Sequence, residues 1–310
     1  MRSGETARGA VAVQDAAAPA PEDNPGVLLI AQMAWISFLE ALREKRQLFG
    51  SAVAVYGMLQ LLKAFAQAAL VDPLIGQQTT LSRIFLTQLG LDTLFSFAGA
   101  FVLAAVAVPV HRMILRDEHG DGVIKPFSGL VVRFAMWVLA IDMAGALIVS
   151  PAIMGSISNP GLRGAIFAMA AIMIVAVIYV TVRWSLAFPA IAIGRPAGPS
   201  IRVPETWELS RGRFWKLFIT PLLAIIPLSL AVAFGVWIAT TIIVAVGNLN
   251  FTLRMEYFGA LRGLTLIGHL ARAVQQTLIG VGGVALGAAL LSWNYRIARV
   301  QSGSERLEPS

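Results

Sequence analysis

An all-α, polytopic membrane bundle of six spanning helices is the fold class this sequence predicts. Three observations carry that expectation: few charged residues, apolar residues gathered into long blocks, and a one-sided distribution of arginine and lysine. Of 310 residues, 57% are hydrophobic and 13% charged, with a mean hydropathy of +0.75. Soluble domains carry about 25% charged residues. Half that share leaves too little polar surface to cover a water-exposed globule, and blocks of at least ~18 apolar residues read as spanning helices.

The blocks fall at 48–71, 89–110, 128–153, 164–181, 217–246 and 266–295. Each is close to or above the ~20 residues that cross ~30 Å of hydrocarbon at 1.5 Å per residue. The strict alternation of a β-barrel is absent. Ahead of them, residues 1–25 hold Ala, Pro and acidic residues without an apolar run, which predicts a disordered cytoplasmic tail rather than a signal sequence. Residues 26–47 begin apolar and end in Glu40, Arg43, Glu44, Lys45 and Arg46. That pattern predicts an amphipathic helix in the membrane interface. The six-span domain is expected over 48–300, followed by a second cytoplasmic tail at 301–310.

Orientation follows from the basic residues. Lys63 lies within a span, and Arg83, Arg163, Arg254, Arg262 and Arg272 fall on one side, leaving eighteen of the 24 on the other. The richer side is cytoplasmic by the positive-inside rule, so both termini are expected inside. An even number of spans agrees with that. The net charge of +7 then reflects contact with the anionic inner leaflet rather than nucleic-acid binding.

Charged residues within the apolar blocks are the sharpest candidates for a site. Lys63 and Asp142 lie at similar depth in the first and third spans, which predicts an intramembrane charge pair, either structural or lining a solute path. Asp92 is the alternative partner if Lys63 reaches outward. Between the fourth and fifth spans, Arg183, Trp184, Trp207, Arg211, Arg213, Trp215 and Lys216 have the character of lipid contacts. Residues 204–218 read as one amphipathic helix resting on the inner leaflet, with Trp207, Phe214, Leu217 and Phe218 on one face. Gly283 and Gly287 form a GxxxG motif for close helix packing. His269, Arg272, Gln275 and Gln276 add polarity to the outer part of the last span. His111, Asp117, Glu118, His119 and Asp121 crowd one loop, where a solvated surface is expected and no metal site.

With no cysteines, structural disulfides and thiolate chemistry are excluded. Catalytic signatures are missing too. Neither enzymatic activity nor a cofactor is expected. Three stretches, 110–118, 183–192 and 207–218, resemble in order those of uncharacterised bacterial six-helix membrane proteins. These are distantly similar to the membrane domain attached to some glycerophosphodiester phosphodiesterases. The resemblance implies six spans and a bacterial inner-membrane address, and it supplies no site residue. The expectation is a non-enzymatic accessory or lipid-associated factor, with membrane lipids and either a second copy or another membrane protein as partners. The alternative is a small-solute or ion transporter or channel with Lys63 and Asp142 in its path.

Overall fold

The computed structural model describes residues 25–71, 73–74, 81–120, 122, 125, 127–158, 160–194, 203–246 and 266–302, and no strand occurs among them. Apart from Pro25, Gln301 and Ser302, the two expected tails lie outside the described residues. The helices are α1 (Val27–Glu44), α2 (Arg46–Leu70), α3 (Leu81–Arg116), α4 (Gly129–Ser158), α5 (Arg163–Trp184), α6 (Ala187–Ala192), α7 (Val203–Leu209), α8 (Phe214–Val246) and α9 (Leu266–Gln301). Six of them, α2, α3, α4, α5, α8 and α9, are long and apolar enough to cross a membrane. They coincide with the six apolar blocks, so the chain is a multi-pass helical membrane protein.

Successive spans run antiparallel. Lys45, just before α2, donates to the carbonyls of Glu118 and Gly120, just after α3, at 3.2 and 2.9 Å. Lys63, late in α2, instead meets Asp92, early in α3. The bundle therefore has a near end, where α2, α4 and α8 begin and α3, α5 and α9 finish, and a far end with the opposite set.

The centre is built by α3 and α9, each 36 residues and so about 54 Å long. Val106 and Val110 of α3 and Leu286 and Leu290 of α9 are fully buried. Ala104, Ala105, Ala285 and Ala289 lie between them and let the two backbones approach. α2 and α4 flank this pair, whereas α5 sits at the periphery: half of α3's spanning window is buried, against 6% of α5's. At the near end, Leu186 and Ile193 around α6 pack with Leu217, Tyr295 and Ala298, so α6 is buried among the spans.

Two expected helices change shape. The segment at 26–47 is helical to Glu44, but the backbone breaks at Lys45 (φ −108°, ψ 47°), and Arg46 already belongs to the first span. One face of α1 (Ile30, Ala34, Phe38, Ala41) is buried in the bundle, and Trp293 of α9 donates to Ser37 Oγ at 3.1 Å. Another face shows Leu28, Ile36 and Leu39 to the outside. The stretch at 204–218 is two helices, not one. α7 stops at Leu209, Gly212 takes φ +73°, and α8 starts at Phe214. A left-handed residue cannot continue a right-handed helix, and glycine adopts that conformation without a Cβ penalty. Trp215 and Lys216 thus open the fifth span.

Candidate functional site

A polar chamber of about 480 Å³ opens in the far half of the bundle between α2, α3 and α9. α2 supplies Tyr56, Gln60 and Lys63, spaced i, i+4, i+7, which places them on one helical face. α3 supplies Phe95 and Ser96, and α9 supplies Arg272, Gln275, Gln276 and Gly280, again on one face. Three membrane-embedded helices therefore turn their polar stripes toward one another.

Tyr56 forms the floor. A Cβ at Gly99 would stand 2.9 Å from Tyr56 Cε2, and one at Gly280 would stand 2.6 Å from Cε1. The ring fits because α3 and α9 each present a glycine to it. Gln60 is buried, and its Oε1 has no hydrogen-bond partner among the described residues.

Lys63 Nζ lies 2.7 Å from Asp92 Oδ1. Asp92 Oδ2 accepts a second bond from Gln88 Nε2 at 3.0 Å, so both carboxylate oxygens are engaged. The expected Lys63–Asp142 pair is not formed. Equal depth put the two at one level of the membrane, but α3 stands between their helices and offers its own carboxylate first. Asp142 lines a second cleft, of about 470 Å³, on the other side of α3 with Asp92, Thr93, Ser96 and Met136. It has no ion-pair or hydrogen-bond partner among the described residues. Arg272 likewise makes no ion pair among them, while Ser96 lines both spaces.

Below Tyr56 the polar lining stops. From Gly280 to Ser292 on α9, about 18 Å along the axis, the side chains facing α2 and α3 are apolar and buried. Ala52, Val106, Val110, Leu286 and Leu290 fill that layer. At its near edge lies His111, which the sequence placed with the loop carboxylates. His111 is instead fully buried inside α3, with Nδ1 2.7 Å from Ser292 Oγ and no partner on Nε2. Asp121 lies outside the described residues, as does the His269 side chain.

The rest of that loop is held by ion pairs. Arg112 Nε and Nη2 grip Glu118 at 2.6 and 2.7 Å, which holds this carboxyl below its ordinary value. His119 Nδ1 meets Glu44 at 2.7 Å, and that carboxylate raises the exposed imidazole above its usual value.

The seven expected lipid contacts divide. Arg183 is a correction, because it is buried and satisfied within the protein. Its guanidinium donates to Ser210 Oγ (2.8 Å), Tyr179 Oη (3.0 Å) and the Trp207 carbonyl (2.7 Å), and stacks on the Trp207 ring at 4.0 Å. Trp184 is half-buried and meets Trp137 edge-on at 5.9 Å. Arg213 is half-buried, and Lys216 donates to the Pro25 carbonyl at 3.2 Å. Arg211 and Trp215 are exposed. Gly283 and Gly287 are not points of close packing, since a Cβ at either would meet nothing within 4 Å. Gly99 and Gly280 have that part instead. The chain matches no protein-family model, and neither a curated protein nor a solved structure shows significant similarity to it.

Proposed function

We propose that this is a non-enzymatic accessory protein of a bacterial inner membrane that holds a polar ligand in the far-half chamber and acts as a lipid-associated factor. The observation that carries this reading is the chamber's one-sidedness. Cations and amides gather above Tyr56, while the space beneath is packed with apolar side chains over about 18 Å. A conduit would need that apolar layer to part toward the polar cleft at the near end, lined by Lys45, Arg112, Glu118 and Lys125, whereas a binding site needs no opening there. The bias of basic residues toward the near end supports termini in the cytoplasm and a chamber in the outer half. In that orientation the exposed Arg211 and Trp215 meet anionic lipid of the inner leaflet.

Transport is the second reading, favoured by the unpartnered Asp142 beside the engaged Asp92. Under it, the layer of Val106, Val110, Leu286 and Leu290 must part during a cycle.

The chain's lack of cysteine makes the distinction direct. Gln276→Cys and Ser96→Cys, reconstituted in liposomes, are expected to react with a membrane-impermeant thiol reagent from the outer side only, and Ala285→Cys, fully buried in the apolar layer, from neither. Reaction of either chamber cysteine from both sides, with solute flux, would replace binding by transport. Reaction from the cytoplasmic side alone would reverse the assigned orientation.

A further inference from the structure

We infer that the chamber is a head-group site for an anionic lipid that carries hydroxyl donors and no ammonium, the chemistry of phosphatidylglycerol. This rests on the chamber being a ligand site, and it names the ligand.

Charge comes first. The chamber is lined by two cations, Lys63 and Arg272, and by no carboxylate. Lys63 is answered by Asp92 at its edge, whose two oxygens are both engaged. Arg272 has no ion-pair partner among the described residues. The remaining charge is positive and its guanidinium is shaped for a phosphate. An ammonium-bearing head would bring a third cation into the same space.

Hydrogen-bond chemistry comes second. Gln60 is 7% exposed, lines the chamber and leaves Oε1 without a partner. That acceptor calls for an O–H or N–H donor. A phosphodiester supplies only acceptors at neutral pH, so a lipid bound here needs a donor besides its anion. Since a cationic nitrogen is disfavoured, a hydroxyl is the group that satisfies both demands.

Shape comes third. About 480 Å³ holds a head group and no acyl chains. The chains would follow the bundle's outer faces, where Leu62 and Phe65 of α2 and Val274 and Leu278 of α9 lie exposed beside the chamber residues. A water-soluble phosphate would leave those faces unused.

The test places the full-length protein in nanodiscs of phosphatidylcholine containing equal small shares of phosphatidylglycerol and phosphatidylethanolamine. Retained lipid is read by native mass spectrometry. Phosphatidylglycerol is expected to be enriched about fivefold over phosphatidylethanolamine, the ratio one Arg–lipid charge interaction provides. Arg272→Gln should bring the ratio to about one, while Arg116→Gln at the other end, where Glu118 answers the guanidinium, leaves it unchanged. Gln60→Leu, which removes the orphaned acceptor and favours folding, should lower the enrichment as well. If Arg272→Gln fails to fold, Gln60→Leu decides the question. Equal retention of the two lipids overturns the head-group assignment. In a second arm, glycerol phosphate is added to pure phosphatidylcholine discs. Stabilisation there equal to that by phosphatidylglycerol overturns the lipid source in favour of a free anion. One-sided cysteine labelling without lipid selectivity sinks this inference alone, whereas labelling from both sides sinks the binding reading itself.

Discussion

Replacing Asp92 by asparagine removes the carboxylate that Lys63 touches at 2.7 Å, and the cost can be worked from how the two side chains are placed. Lys63 is only 15% exposed and Asp92 is 41% exposed. In Asp92→Asn an ammonium stays inside the bundle, facing a chamber that also holds Arg272, and an uncompensated charge at such depth costs about 2.5–3.5 kcal/mol. In Lys63→Met the carboxylate left behind keeps its bond from Gln88 and opens to the outside. That remaining bond makes this loss the smaller of the two. The double variant should recover most of the Asp92→Asn loss, with a coupling of about 1–2 kcal/mol. Thermal unfolding in nanodiscs, with the yield of membrane-inserted protein as a second readout, gives the ranking. Asp142→Asn, which breaks no bond and removes an uncompensated carboxylate, is expected not to destabilise. A Lys63→Met loss larger than that of Asp92→Asn, or an Asp142→Asn loss equal to it, would refute the pairing and return the partner's role to Asp142.

Arg183→Lys should destabilise by about 2–4 kcal/mol in the same melts, because one ammonium cannot replace three directed bonds and the stack on Trp207. Gly280→Ala should cost about 1–3 kcal/mol through its clash with Tyr56 and be partly relieved by Tyr56→Leu. Gly283→Ala, with open space around it, should stay within about 0.5 kcal/mol of the parent. Gly212→Ala puts a side chain on a left-handed residue and should cost about 1–2 kcal/mol, read as a lower melting temperature. The His119–Glu44 contact raises the folded-state value of the imidazole, so its stabilisation is complete below the ordinary value of 6.5 and fades as pH rises through the raised one. The melting-temperature gap between the parent and Glu44→Gln should accordingly be wider at about pH 5.5 than at about pH 9. A gap that widens with pH would contradict the assignment.

The six spans could be read from the sequence because crossing a membrane demands long apolar blocks, and hydropathy measures those directly. Their ends were less visible. The block at 89–110 is only the middle of α3, which continues through Arg83, Gln88, His111 and Arg112. Those residues lower the hydropathy average, yet packing against α2 and α9 keeps them helical. Depth along a helix can be counted from a sequence, but the direction in which a side chain points around the bundle cannot. That is why Asp142 looked like the partner of Lys63 and Asp92 proved to be it. The chamber did leave a trace, since Tyr56, Gln60 and Lys63 repeat at helical spacing, as do Asp92 and Ser96, and Arg272 and Gln276. Each stripe alone resembles ordinary interfacial polarity, and only the assembly of three helices makes them one site. Arg183 was misjudged for a related reason. An Arg-Trp pair at a span's end is the usual mark of a lipid interface, and the chain that returns through Trp207 and Ser210 to cover it is distant in sequence.

The peripheral position of α5 bears on how the protein is made. Its mean hydropathy is 2.7, the highest of the six spans, and it has the least protein around it. α2 and α9, with 1.5 and 1.6, carry the chamber and depend on neighbours. A translocon that partitions each segment by its own affinity for lipid would release α5 readily and α2 reluctantly. Because the counter-charge to Lys63 sits on the very next span, α2 and α3 are suited to leave the translocon together as a hairpin that is already neutral where its two ends meet. α9 emerges last, into a scaffold that supplies the surroundings its polar stripe needs. The chamber is then completed only after every other span is in place, so a truncated chain would reach the membrane without it.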